Sequence, residues 1–157
     1  MSVFKIIKKN KDGTYRIFLS KDEFEWLKHE SMQLANLISR SELDEVAMKR
    51  LFPAGSFEQE IEQKFEEEIK PSLLNEKIHD LKTLSELCEK DTFSKDDLDI
   101  ILCAINSIRL TLGTILAMTP DGPAVVMDQD KKMFYAYYNH LSYLQQKIVE
   151  ELIKEIN

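Results

Sequence analysis

Arg109 is the side chain whose type fits its place least. At 100° per residue, Leu98, Ile101, Leu102, Ile105, Ile108, Leu112, Ile115 and Leu116 form one broad apolar stripe. Ile100, Cys103, Ala104 and Leu110 carry apolarity round much of the remaining surface, the pattern of a helix central to a bundle. Arg109 lies inside the stripe, with Asn106 and Gly113 on its flank about one turn before and after. A guanidinium keeps its proton, so among apolar neighbours it needs a carboxylate, carbonyl oxygens or an anionic ligand. Three arrangements meet that need. One is a buried arginine–carboxylate pair that sets helix register. Another is an anion pocket in which Asn106 supplies an amide and Gly113 allows close approach. The third is a side chain whose head snorkels to water. Gln145 sits within the apolar stripe of the last helix and is a candidate hydrogen-bond partner for Arg109 or Asn106 if the two helices pack.

Other residue types with chemical potential are dispersed. His29, His79 and His140 belong to no His-Glu-x-x-His pattern, and no Cys-x-x-Cys pair exists, so neither a zinc site nor a catalytic base is expected. Four glycines cannot build a phosphate-cradling loop, and there is no nucleophile elbow. Cys88 and Cys103 fall in apolar helical patterns on separate elements, where a thiol behaves as a small hydrophobe and stays reduced. The stretch from Glu58 to Glu68 holds six acids and one lysine. Such a run could take a divalent metal, but it reads as a solvated helix face. No catalytic residue, metal or cofactor is expected, and an enzyme is the lesser reading.

The elements that would position these residues are mostly helical. Val3–Ile7 and Thr14–Leu19 flank Asp12-Gly13, a strong hairpin signal because glycine tolerates the positive φ of a tight turn. Ser20 to Glu23 has the spacing of a capping box and opens a helix to about residue 40, with Phe24, Leu27, Ser31, Leu34 and Ile38 on one face. A short helix over 43–50 and an acidic one over 57–69 are separated by Pro53, and Pro71 fits the first turn of a helix reaching about residue 89. On that helix Leu74, Ile78, Leu81, Leu84 and Cys88 share a side. Ser94 to Asp97 caps a helix over 95–117, 119–123 is a turn, and a last helix runs from about 130. In the last helix Phe134, Tyr137, Tyr138, Leu141, Leu144, Ile148 and Leu152 form the buried stripe. The expected fold is mainly α: one domain over 1–157, with a β-hairpin at 1–19 on a bundle of five or six helices at 20–157.

The 157 residues are 43% apolar and 31% charged, ordinary globular proportions for one hydrophobic core. A net charge of −7 works against binding nucleic acid or an anionic membrane. No apolar run approaches the roughly 20 residues of a membrane span, and the start lacks the pattern of a secretion signal, so a cytoplasmic location is expected. Charge is nonetheless uneven: residues 1–16 carry a local +4, opposite in sign to the acidic run at 58–68. Either could meet a partner of the other sign.

Four segments together resemble one family: Gly13-Thr-Tyr-Arg-Ile-Phe-Leu-Ser20, Arg50-Leu-Phe-Pro53, Ile105-Asn-Ser-Ile-Arg-Leu-Thr-Leu-Gly-Thr114 and Tyr143-Leu-Gln-Gln-Lys-Ile-Val149. It is a bacterial family of unknown function, best represented in actinobacteria. Its genes often sit beside that of the Clp protease adaptor ClpS and near a JAMM-type metal-dependent peptidase. The resemblance covers almost the whole chain in the same order. It implies that the family's polar positions fall on Arg50, Asn106, Arg109, Gly113 and Gln145. The loop at 119–130 is longer than the family's short acidic turn before the last helix. The resemblance implies a cellular neighbourhood and no reaction. The leading expectation is therefore a non-enzymatic interaction or regulatory protein, associated with ClpS- and Clp-dependent proteolysis. Its partner would be a protein, ClpS or another Clp component, and the sequence leaves room for a homodimer. The alternative is a sensor that binds a small anionic ligand around Arg109, Asn106 and Arg50.

Overall fold

A computed structural model describes residues 6–43 and 70–154, with isolated positions 47, 48, 51, 67 and 156. The chain begins with an antiparallel hairpin of β1 (Ile7–Lys9) and β2 (Tyr15–Ile17), paired Ile7 to Ile17 and Lys9 to Tyr15. Gly13 takes φ 90°, the left-handed conformation anticipated for the Asp12-Gly13 turn. Asp12 locks this turn, accepting bonds from the Thr14 amide (3.0 Å) and hydroxyl (2.6 Å). The first strand pairs over Ile7–Lys9 rather than ending at Ile7. The alternation is that of a half-buried ladder, with Ile7, Tyr15 and Ile17 buried while Lys8, Lys9 and Arg16 face out.

Four helices form among the described residues: α1 (Lys21–Ser39), α2 (Lys70–Leu87), α3 (Lys95–Ile115) and α4 (Gln129–Lys154). The expectation of five or six is thus not matched. The segments expected to supply the others, 43–50 and 57–69, fall almost wholly outside the described residues. Ser20 caps α1 by accepting the Glu23 amide (3.1 Å), but Glu23 does not complete the box and instead meets His140 on α4. Pro71 does sit in the first turn of α2, where its missing amide proton costs nothing. Ser94 and Asp97 form the full reciprocal box at the start of α3.

Helix α3 packs against α1, α2 and α4, as its breadth of apolar residues requires. Ala104, Ser107 and Gly113 are buried beside its large apolar residues, and small side chains there let neighbouring backbones approach. The Ser107 hydroxyl is accommodated by donating to the Cys103 carbonyl (3.2 Å). Two expectations for this helix are corrected. Cys103 is exposed, and so is Ile115, because α3 ends there and the chain turns away. By length and composition α3 would pass for a membrane span, with a mean hydropathy of 1.5, against the expectation that no segment approaches one. In the fold it is the helix around which the others are arranged.

Between α3 and α4 the turn expected at 119–123 closes a second, minimal ladder of β3 (Met118–Thr119) and β4 (Gly122–Pro123). Gly122 there takes φ 115°, open to glycine and strained for other residues. Helix α4 then returns along α3, burying Leu141, Leu144 and Ile148. The flanking members of its expected stripe, Phe134, Tyr137, Tyr138 and Leu152, pack against this core half-buried. Tyr137 stacks on Trp26 of α1 with ring centres 3.9 Å apart and planes 12° from parallel.

Candidate functional site

The helical spacing of Asn106 and Arg109 brings them together. Arg109 Nη2 donates to Asn106 Oδ1 at 3.0 Å, an i,i+3 bond along α3. Tyr138 of α4 supplies the other contact, with the guanidinium carbon 5.7 Å from its ring centre, within cation–π range. No carboxylate pairs with Arg109 among the described residues, so the arginine–carboxylate arrangement is not the one seen. Arg109 Nε is shut away from solvent without a hydrogen-bond acceptor.

Gln145 is half-buried on α4, and it makes no hydrogen bond to Arg109 or Asn106 among the described residues. Its Oε1 is itself buried without a donor. The core therefore holds an orphaned donor on α3, Arg109 Nε, and an orphaned acceptor on α4, Gln145 Oε1. Unmade bonds of that kind carry a real desolvation penalty. Gly113 is buried on the same helix, and Arg50 lies outside the described residues. Neither of two substantial surface grooves, of about 610 and 310 Å³, includes Arg109, Asn106 or Gln145 in its lining.

Two further residues contribute with weaker sequence signals. Tyr138 falls in the apolar stripe of α4, although its ring face is also what a cation on the neighbouring helix would seek. Phe93 was not singled out, yet it is almost fully buried and bonds its main chain to Tyr15 of the hairpin. Its position gave a signal: an apolar residue just before the Ser94 cap, with Leu98 following it, has hydrophobic-staple spacing.

The titratable groups show no poised nucleophile among the cysteines. Burial pushes the Cys88 thiol up to about 12. Cys103, though exposed, is also raised, first because its thiol is partly desolvated against the helix surface and then by the charge of Asp80. Both remain thiols near neutral pH, whereas a reactive cysteine needs its pKa lowered. His140 Nε2 lies 3.1 Å from Glu23 Oε2, joining α4 to α1. Among the described residues no three His, Cys, Asp or Glu side chains are grouped to hold a metal ion.

The profile of a domain of unknown function, DUF2017, matches residues 1–152. The chain belongs to the DUF2017 family. No curated protein and no solved structure matches it. Within DUF2017 this chain thus supplies a seam of polar side chains between two core helices, built on Arg109, Asn106 and Tyr138, with Gln145 on the facing helix.

Proposed function

We propose that this DUF2017 domain is a non-enzymatic interaction or regulatory protein of the cytoplasm that works beside Clp-dependent proteolysis and binds ClpS or another Clp component. The observation that carries this reading is the outer surface of the last turns of α4. Val149 and Ile153, one turn apart, are both exposed, and Ile156, just beyond the helix, is exposed as well. Apolar residues aligned on the outside of a helix are what a groove on a partner protein grips. The choice of partner rests on the gene neighbourhood implied by the resemblance to the ClpS-linked family.

The test uses the purified full chain mixed with purified ClpS and, separately, with Clp ATPase subunits, read by native mass spectrometry. A stoichiometric complex is expected with one of them. The double substitution Val149→Glu and Ile153→Glu should abolish it while leaving the melting temperature close to that of the parent, since both side chains are exposed. Absence of any complex with the Clp components sinks this reading.

A second reading is favoured by the orphaned Arg109 Nε. A guanidinium held only by one amide and one aromatic face retains the capacity to bind a carboxylate or phosphate. On this reading the domain senses a small anion at the α3–α4 seam.

A further inference from the structure

We propose that the outer edge of β2 binds an extended peptide as an added strand, lying in the groove between β2 and the turn that joins α2 to α3. This goes beyond the α4 surface and uses a different part of the molecule.

The direction of the main chain carries the inference. Asn10 donates its amide to the Thr14 carbonyl, and Phe18 donates to the Ile6 carbonyl, each at 2.7 Å. Even-numbered residues of this stretch therefore bond toward β1, and odd-numbered ones point their amides and carbonyls outward. Tyr15 uses that outward direction: it donates to the Phe93 carbonyl at 2.7 Å and accepts the Phe93 amide at 2.8 Å. One pair further along, Ile17 points the same way and has no main-chain partner among the described residues. The segment that precedes Phe93 has diverged toward the end of α2. The gap left between them is a groove of about 610 Å³, with Ile17, Phe18 and Leu19 on one side and Cys88 to Asp91 on the other.

The molecule thus fills its own β2 edge at Tyr15 with one extended residue and leaves the continuation open. Unpaired edges are normally blunted by shortness, charge, proline or a bulge. Strand β2 is short and carries Arg16, but Ile17 itself has no proline, bulge or inward charge to obstruct pairing. The volume is that of a ligand site and admits a few residues of peptide. Phe18 lines the groove while 46% exposed, with the Arg16 guanidinium 5.6 Å from its ring centre, and Phe24 lies half-buried in the same lining. Glu89 is already paired with Lys28, and Lys90 with Asp97. Arg16, Lys21, Glu25 and Asp91 in the lining have no ion-pair partner among the described residues. The occupant this fits is an extended peptide whose main chain pairs with Ile17, with one bulky apolar side chain against Phe18 and Phe24 and a charged residue to either side. Strand addition draws affinity from main-chain bonds and selectivity from alternate side chains.

The test selects random heptapeptides displayed on phage against the immobilised full chain, with Phe18→Asp as counter-selection. A consensus with a bulky apolar residue and flanking charge is expected. A synthetic copy N-methylated at alternate residues should bind at least about tenfold more weakly, since it cannot complete the ladder. Binding of the unmethylated peptide should slow hydrogen exchange at the Ile17 amide, and Phe18→Ala should weaken binding without lowering the melting temperature. The proposal is overturned if no heptapeptide is enriched over the counter-selection. It is equally overturned if the methylated copy binds as well and Ile17 exchange is unchanged. Neither failure touches the Clp complex, which is measured on the α4 variants.

Discussion

At the scale of single residues, the instructive group is the guanidinium of Arg109. Its partners are the Asn106 amide oxygen and the face of Tyr138, both uncharged, so its positive charge is solvated only in part by the protein. Arg109→Met should therefore fold, and its stability in plain buffer should equal or exceed that of the parent, because an apolar side chain suits the stripe. If the seam senses an anion, inorganic phosphate or succinate should raise the melting temperature of the parent, by the equivalent of about 2.7 kcal/mol at a hundredfold excess over Kd. The same anion should leave Arg109→Met unmoved. Differential scanning fluorimetry distinguishes the cases: a variant that fails to fold makes Arg109 structural, and an equal response in both chains places the anion elsewhere. That Arg109 was anomalous was legible from its position on the helical wheel. That its neighbours are Asn106 and Tyr138 rather than a carboxylate was not, because Tyr138 is separated from it by a loop and two helix faces whose rotation only packing decides.

At the scale of elements, helix starts were the best-determined features, and α3 shows why. Ser94 and Asp97 exchange bonds across three residues, so the signal is wholly local. The Asp97 carboxyl sits below its ordinary value of 3.8: partial burial pushes it up, but the Ser94 amide and the Lys90 ammonium outweigh that. A depressed carboxylate contributes stability above its unfolded value and loses it as the pH falls through the folded one. Asp97→Asn should accordingly cost up to about 1 kcal/mol at neutral pH, the worth of a negative charge in the first helical turn and of its pair with Lys90. The gap between variant and parent should close as urea unfolding is repeated from about pH 5 to below pH 3, on either side of an ordinary aspartate pKa. A gap that is constant with pH would show that charge at Asp97 adds nothing to the cap. The box expected at Ser20 was only half right for a non-local reason. Glu23 had the spacing to bond back to its cap, but His140 on α4 offered it a different partner. Strand limits were less legible than helix starts, since three-residue strands carry little periodicity.

At the scale of the whole molecule, the hairpin and the four helices share one buried cluster, in which Phe93 is the junction. Its side chain is in the core and its main chain is bonded on both sides to Tyr15. Phe93→Ala should cost about 3–5 kcal/mol, as for other large buried aromatic truncations. Because the hairpin cannot stand alone, loss of this joint should destabilise the chain as a unit. Thermal unfolding followed by far-ultraviolet dichroism, which reports the helices, and by the Tyr15 amide resonance, which reports the hairpin, should give coincident single transitions in both parent and variant, shifted downward in the variant. Separate transitions would mean that the hairpin and helices unfold independently.

By itself the sequence determined the mainly helical class, the Asp12-Gly13 turn, the caps at Ser20 and Ser94, the place of Pro71 and the centrality of the helix that carries Arg109. All of these depend on neighbours within about one helical turn, or on the period of one helix, and such information is complete in the local chain. The tertiary structure alone decided that the Tyr138 ring faces Arg109, that Gln145 makes no hydrogen bond to it, that Glu23 turns to His140 and that Phe93 closes one end of the β2 edge. Each of these joins residues from separate elements. Their partners are chosen by how helices rotate and seat against one another, a property of the packed core that no single stretch of sequence contains.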